Sequence, residues 1–215
     1  GGLELAARPP PSPSARGDEA PPLVEMRGAA FAWPGAPPEA FQLRDVSLAL
    51  RPGGLVCVLG EVGAGKSALL AAILGELVRT EGLGSATSSE GLAAPLRAAH
   101  CGQQPWVRSA TVRENVLFAA GAAGTAGDAA VDEASYGRAL AAAQLGPDLR
   151  AWPAGDATEV GERGLTLSGG QRARLALARA AYAALAGRVE LVLLDDVLAA
   201  LDPGVAQRVV DECVL

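Results

Sequence analysis

The chain has 215 residues, enough for one sizeable core, and carries a formal charge of −6. That acidic balance argues against a nucleic-acid surface, which would show clustered Lys and Arg. Half of the residues are hydrophobic but only 4% are aromatic, so the core must be built from Ala, Leu and Val. Cys57, Cys101 and Cys213 have no C-x-x-C spacing, which argues against a structural metal and a disulfide framework and fits a reducing compartment.

In chain order, residues 1–22 include R-P-P-P-S-P-S-A-R-G-D-E-A-P-P, which reads as a disordered, Pro-rich linker. The globular part is expected over residues 23–215. L-V-E-M-R-G-A-A-F-A-W and F-Q-L-R-D-V-S-L-A-L-R alternate as strands do. P-G-G (52–54) makes a turn, and L-V-C-V-L (55–59) reads as a strand buried on both faces, with Cys57 a small core residue. A helix follows in S-A-L-L-A-A-I-L-G-E-L. Gly82 to Gly91 reads as loop or weak strand, and Ala119 to Asp128 as a flexible insert. Helices are expected in D-E-A-S-Y-G-R-A-L-A-A-A-Q-L and over Gly169 to Ala186, then a buried strand E-L-V-L-L and a last helix from Pro203. No apolar run reaches the ~18 residues that cross a bilayer, and no signal-peptide h-region is visible. The first residue is not Met and the text stops on D-E-C-V-L, which reads as a piece of something longer.

G-E-V-G-A-G-K-S, Gly60 to Ser67, matches G-x-x-x-x-G-K-[ST] between a strand and a helix. Glycines there let backbone N–H groups surround phosphate oxygens, and the helix dipole adds to the attraction. The expected cradle is Gly60, Gly63, Ala64, Gly65, Lys66, Ser67 and Ala68. Lys66, the only lysine in the chain, would reach the β- and γ-phosphates, and Ser67 would ligate Mg²⁺. L-V-L-L-D-D ends an aliphatic run in Asp195 and Asp196, with Asp202 following in A-A-L-D. L-S-G-G-Q, residues 167–171, opens a helix whose Arg172, Arg174 and Arg179 read as a solvated face.

With these motifs in this order the chain resembles the ATP-binding cassette (ABC) family, whose signature is L-S-G-G-Q. The resemblance implies an α/β P-loop NTPase with a parallel core sheet, an N-terminal antiparallel β portion and a helical signature subdomain. It implies ATP and Mg²⁺ as cofactors, a second nucleotide-binding domain docked head to tail, and ATPase activity coupled to transmembrane transport. Ser168, Gly169, Gly170 and Gln171 would then clamp the γ-phosphate held by the partner cassette. G-Q-Q-P-W and T-V-R-E-N-V-L-F-A are similar to subfamily C, the multidrug-resistance-protein branch, and to the first of its two cassettes. Gln103 would be the loop glutamine that senses Mg²⁺ and the attacking water, and Asp195 the residue that holds the metal. Glu159, in D-A-T-E-V-G-E-R-G (156–164), would face the transmembrane domains. Trp33 is the candidate for stacking on adenine, against a core or surface tryptophan.

Asp196 stands where hydrolysing cassettes carry the glutamate that activates water. A carboxylate shorter by one methylene falls short of the ~2.6–3.2 Å that a general base needs, so slow hydrolysis is expected. Ala199 stands where the D-loop usually has serine. Asp202 would lie at the dimer seam and also suits the N-cap of the last helix. His100 precedes Gln103, reads as a strand-edge residue, and cannot be the family's switch histidine, which would follow residue 215. The resemblance places the cassette on the cytoplasmic side of a membrane, in a multi-pass transporter. One alternative is a regulatory nucleotide-binding module that gates a channel or transporter without turnover. Another is a soluble ABC ATPase working on ribosomes or DNA, which the T-E-V-G-E-R-G stretch and the acidic charge count against.

Overall fold

The computed structural model describes residues 3–8, 21–37, 39–86, 96–118, 131–161 and 167–214. The chain divides into two units, Gly1–Ala98 and Ala99–Leu215. The readings of Ala119 to Asp128, most of 1–22 and residues 87–91 of the stretch 82–91 lie outside the described residues.

In the first unit, strands β1 (Glu4–Arg8), β2 (Val24–Ala32), β3 (Gln42–Leu50) and β4 (Leu55–Leu59) are followed by helix α1 (Lys66–Ile73) and strand β5 (Val78–Ala86). β2 is the middle of an antiparallel sheet in the order β3-β2-β5. Alternation buries Val24, Met26, Leu43, Val46 and Leu48, as a half-covered sheet requires. The register slips between Met26 and Ala29, where Gly28 has φ +53° and its N–H donates to Ser47 Oγ at 3.0 Å. A Cβ on the facing Gly82 would stand 2.3 Å from Gly28 O, so this bulge needs glycine on β5.

β4 departs from its expected burial. None of its five residues is buried, and Cys57 and Leu59 are exposed. A continuous apolar run shows that both faces can be covered, and only the tertiary neighbours decide whether they are. The expected core role of Cys57 is therefore corrected. Part of the stretch read as linker is strand: β1 pairs antiparallel with β4 from Glu4↔Leu59 to Arg8↔Leu55. That ladder gives partners to backbone groups along one edge of β4.

The second unit begins with strands β6 (Ala98–Cys101) and β7 (Ala110–Thr111) and helices α2 (Val112–Leu117), α3 (Glu133–Ala142) and α4 (Gly146–Ala151). Strand β8 (Glu159–Val160), helix α5 (Gly169–Leu185), strand β9 (Leu191–Leu194) and helix α6 (Pro203–Val209) complete it. α5 is its hub, with α2 and α3 packed against it. Ala173, Leu175, Ala176, Leu177, Ala178, Ala180, Tyr182 and Ala183 are all buried, and the many alanines let neighbouring backbones approach closely. β6 and β9 pair. The Asp195 N–H donates to Cys101 O at 2.9 Å, so the two strands end side by side, as parallel strands do. Burial pushes the Cys101 thiol up to about 11.

Two capping devices set helix starts. Thr111 and Glu114 form a capping box at α2, and the Thr111 N–H holds the Glu114 carboxyl below its usual range. Asp132 accepts from the Ala134 and Ser135 N–H groups at α3. The expected architecture holds, with an antiparallel N-terminal sheet, parallel core strands and a helical subdomain of P-loop NTPase type.

Candidate functional site

The loop between β4 and α1 is shaped by two glycines in the left-handed region, Gly63 (φ +85°) and Gly65 (φ +101°). Gly65 is the N-cap of α1 and offers no side-chain acceptor, and the first turn holds no acidic residue. The opening N–H groups of α1 thus have no side-chain cap, and the helix end keeps its positive potential. Lys66 Nζ donates to Gly60 O and Glu61 O, both at 2.8 Å, so its ammonium lies across the mouth of the loop. Ser67 is exposed on the next position. Backbone donors, a cation and a hydroxyl within one turn make a cradle that fits a polyphosphate.

Trp33 follows β2, and its indole is 44% exposed. Phe41 precedes β3 and is equally open. The register pair Ala32↔Gln42 sets both aromatics at the same mouth of the hairpin. The Phe41 ring reaches the P-loop: a Cβ on Gly65 would stand 2.8 Å from its Cζ. Trp33 is therefore on the hairpin end that adjoins the cradle. Phe41, which sequence reasoning passed over, is the residue in contact with it.

In the second unit, Gln103 lies just beyond β6 and Asp195 just beyond β9, so strand pairing brings them to one edge. Gln103 is exposed, Asp195 half-buried and Asp196 exposed. Asp196 has φ +51°, a backbone conformation that Asp and Asn enter more readily than other side chains. Asp202 is the N-cap of α6, as expected, but its side chain makes no capping bond. Its carbonyl accepts from the Val205 and Ala206 N–H groups instead. His100 is exposed at the end of β6. Among the described residues no cluster of three or more His, Cys, Asp or Glu could hold a metal by itself.

The signature segment is ordered by its own chemistry. Ser168 is the N-cap of α5. Its Oγ accepts from the Gln171 N–H at 3.2 Å, while Gln171 Oε1 accepts from the Ser168 N–H at 2.9 Å. Gly169 and Gly170 occupy the first positions of the helix, where N–H groups have no partner within it. A Cβ on Gly170 would stand 3.2 Å from Ala200 O, so the signature adjoins the A-A-L-D turn.

The arginines that follow are not a solvated face. Arg172 Nη1 donates to Leu167 O at 2.9 Å. Arg174 forms a two-pronged ion pair with buried Asp148. Arg179 is buried, its guanidinium 3.7 Å over the Trp106 ring. It donates to Asn115 O (2.8 Å), Asn115 Oδ1 (3.1 Å) and Trp106 O (3.2 Å). Burial pulls its pKa down to about 10, which still leaves it charged at neutral pH. The fully buried Asn115 also accepts from the Arg108 N–H and donates to the carbonyls of Arg108 and Thr111, pinning the chain that follows Gln103. Neither role was visible in the sequence, since a side chain on an all-round buried helix is indistinguishable from one on an open face until its neighbours are placed.

That pinned chain borders a groove of about 660 Å³ lined by Arg108, Ser109, Glu114, Leu117, Phe118 and Glu159. Phe118 meets Trp106 edge to face, with ring centroids 5.1 Å apart, and Arg108 lies 4.7 Å over the Phe118 ring.

Comparison with known proteins agrees with this arrangement. The model of the family described as ABC transporter matches residues 43–199. ATP-binding cassette sub-family C member 10 of Homo sapiens is 44% identical over 198 residues, covering 90% of this chain and 12% of that protein. The ABC-type transporter cicA of Emericella nidulans is 42% identical over 176 residues, covering 82% and 11%. Bile pigment transporter 1 of Saccharomyces cerevisiae is 43% identical over 159 residues, covering 74% and 9%. The chain thus spans about a tenth of the length of the curated relatives it matches. On this match, and on a P-loop, an aspartate-ended strand and a capped L-S-G-G-Q helix in the expected order, the chain belongs to the ABC transporter family as a nucleotide-binding domain homologous to those of subfamily C.

Proposed function

We propose that this domain binds Mg-ATP on the P-loop and closes head to tail on a second cassette to drive a multi-pass transporter, from its cytoplasmic side. The observation that carries the reading is Lys66, held across a glycine loop at the head of a helix without a side-chain cap. Gly60, Gly63, Ala64, Gly65 and Ala68 would supply backbone contacts, and Trp33 the face for adenine. Mg²⁺, held by Ser67, Asp195 and Gln103, would neutralise charge on the phosphates when bound. Ser168, Gly169, Gly170 and Gln171 would form the clamp offered to the partner cassette's nucleotide. No helix among the described residues is long and apolar enough to cross a membrane. The coupling surface to transmembrane domains would be the groove that runs from Arg108 to Glu159, where Leu117 and Phe118 offer apolar area and Arg108, Glu114 and Glu159 offer charge. The G-Q-Q-P-W segment favours the first cassette of a tandem pair.

Titration with a fluorescent ATP analogue, with Mg²⁺ and with EDTA, tests the binding step. Lys66→Ala removes a charge-assisted contact of about 1.5–3 kcal/mol, a weakening of roughly 10- to 150-fold. Unchanged affinity would remove the P-loop assignment.

Asp196 favours a second reading, a regulatory module that occludes ATP with little turnover. Retention of unhydrolysed ATP on the closed domain would mark it.

A further inference from the structure

Asp148 lies on α4, outside every motif so far assigned to nucleotide, and is buried. Both of its carboxylate oxygens are engaged by the signature helix. Gln171 Nε2 donates to Oδ1 at 3.1 Å, Arg174 Nη2 to Oδ1 at 3.0 Å, and Arg174 Nε to Oδ2 at 2.8 Å. Gln171 in turn is locked to Ser168 through the reciprocal capping box. The consequence for Ser168 is directional. Its Oγ accepts from the helix, which fixes the hydroxyl oxygen at the helix end and leaves its O–H to donate to a ligand there. Gln171 has both ends of its amide engaged by protein, its oxygen by the Ser168 N–H and its nitrogen by Asp148.

We infer that Asp148 is a positioning residue for the phosphate clamp: it orients the signature through Gln171 and Arg174, and Gln171 links it to Ser168. The inference rests on the reading of L-S-G-G-Q as a clamp for the γ-phosphate of a second cassette. Electrostatics makes the role distinguishable from its alternatives. A lone carboxylate at a helix N-terminus would oppose an incoming phosphate, and the two-pronged Arg174 pair neutralises it. Asp148→Asn removes the negative charge and leaves Arg174 positive. On charge alone this variant would hold the anion more tightly. On positioning it holds it less tightly, because the amide nitrogen only donates: the Arg174 Nε bond is lost and an N–H group is set against the guanidinium, which loosens the two-pronged hold on the signature helix. The two accounts differ in sign.

The test uses the whole 215-residue chain. Mg-ATP-dependent self-association is followed by sedimentation velocity, nucleotide binding to the P-loop by the fluorescent analogue, and amide exchange by mass spectrometry. For Asp148→Asn we expect association weakened tenfold or more and nucleotide affinity within twofold of the parent. Amide exchange should quicken in 167–172 and stay unchanged in 175–185. Association equal to or tighter than that of the parent overturns the role of Asp148. So does exchange that quickens equally along all of α5, since Asp148 would then only support the fold. A parent chain that binds nucleotide yet stays monomeric at saturating Mg-ATP overturns the clamp reading itself, and this inference with it.

Discussion

At the level of single residues, Asp196 is under two demands that pull in different directions. Its φ of +51° places it where most L side chains are strained, and where Asp and Asn are tolerated because a short polar side chain can bond locally. The general-base role read from the sequence asks for the longer glutamate. The two combine into one prediction. Asp196→Glu should speed single-turnover ATP hydrolysis by tenfold or more, and should cost about 1 kcal/mol in stability, of the order of the left-handed penalty. Quenched-flow hydrolysis and a urea midpoint measure the two effects on one sample. Faster turnover with no loss of stability would show that the backbone does not resist glutamate. No gain in turnover would show that the missing methylene is not what limits the site. Asp196→Asn, by contrast, keeps the backbone preference and should leave the urea midpoint where it is.

At the level of elements, the most instructive one is α5, because its two ends were legible to different degrees. Its start was plain in the text: Ser168 three residues before Gln171 is a capping-box spacing, and both reciprocal bonds are made. Its interior was not. Arg179 reads as a surface charge on any periodicity argument, yet it stacks on Trp106 and bonds to Asn115, 64 residues upstream. The same limit explains β4, whose apolar text gives no sign of which neighbours cover it, and β1, where Glu4–Arg8 lies in text dominated by proline further on. Motifs that act through local backbone, such as the P-loop and signature, were readable. Those that act through distant partners were not.

The Arg179–Asn115 pair carries its own test. Asn115→Ala removes one of the three acceptors of the buried guanidinium together with the bonds the Asn115 side chain makes to the Arg108 and Thr111 backbone, and should cost about 3–5 kcal/mol in all. Arg179→Met removes the charge itself and leaves two carbonyls without this donor, while the methionine stem still covers apolar area. Its cost should be the smaller, about 2–3 kcal/mol. Urea denaturation of both variants should therefore order them with Asn115→Ala the less stable. The reverse order would mean that stacking on Trp106 outweighs the hydrogen bonds.

At the level of the whole molecule, charge sets the terms on which two cassettes meet. Each copy of this chain carries −6, and bound ATP adds to it. Two such copies repel at long range, while the contacts between a signature helix and a phosphate act at close quarters, where salt screens little. Raising the ionic strength from 50 to 250 mM shortens the screening length from roughly 14 Å to about 6 Å. Repulsion between the copies falls, and the short-range clamp is largely untouched. Mg-ATP-driven self-association should thus tighten by about twofold over that range, on a screened-charge estimate. Sedimentation equilibrium at the two salt concentrations measures it. Association that weakens with salt would instead show that complementary charged patches, rather than the helix-end clamp, hold the copies together. A less acidic partner cassette should relieve the repulsion without any change of contacts. In that case the heterodimer forms more tightly than the homodimer at 50 mM, and the difference narrows at 250 mM.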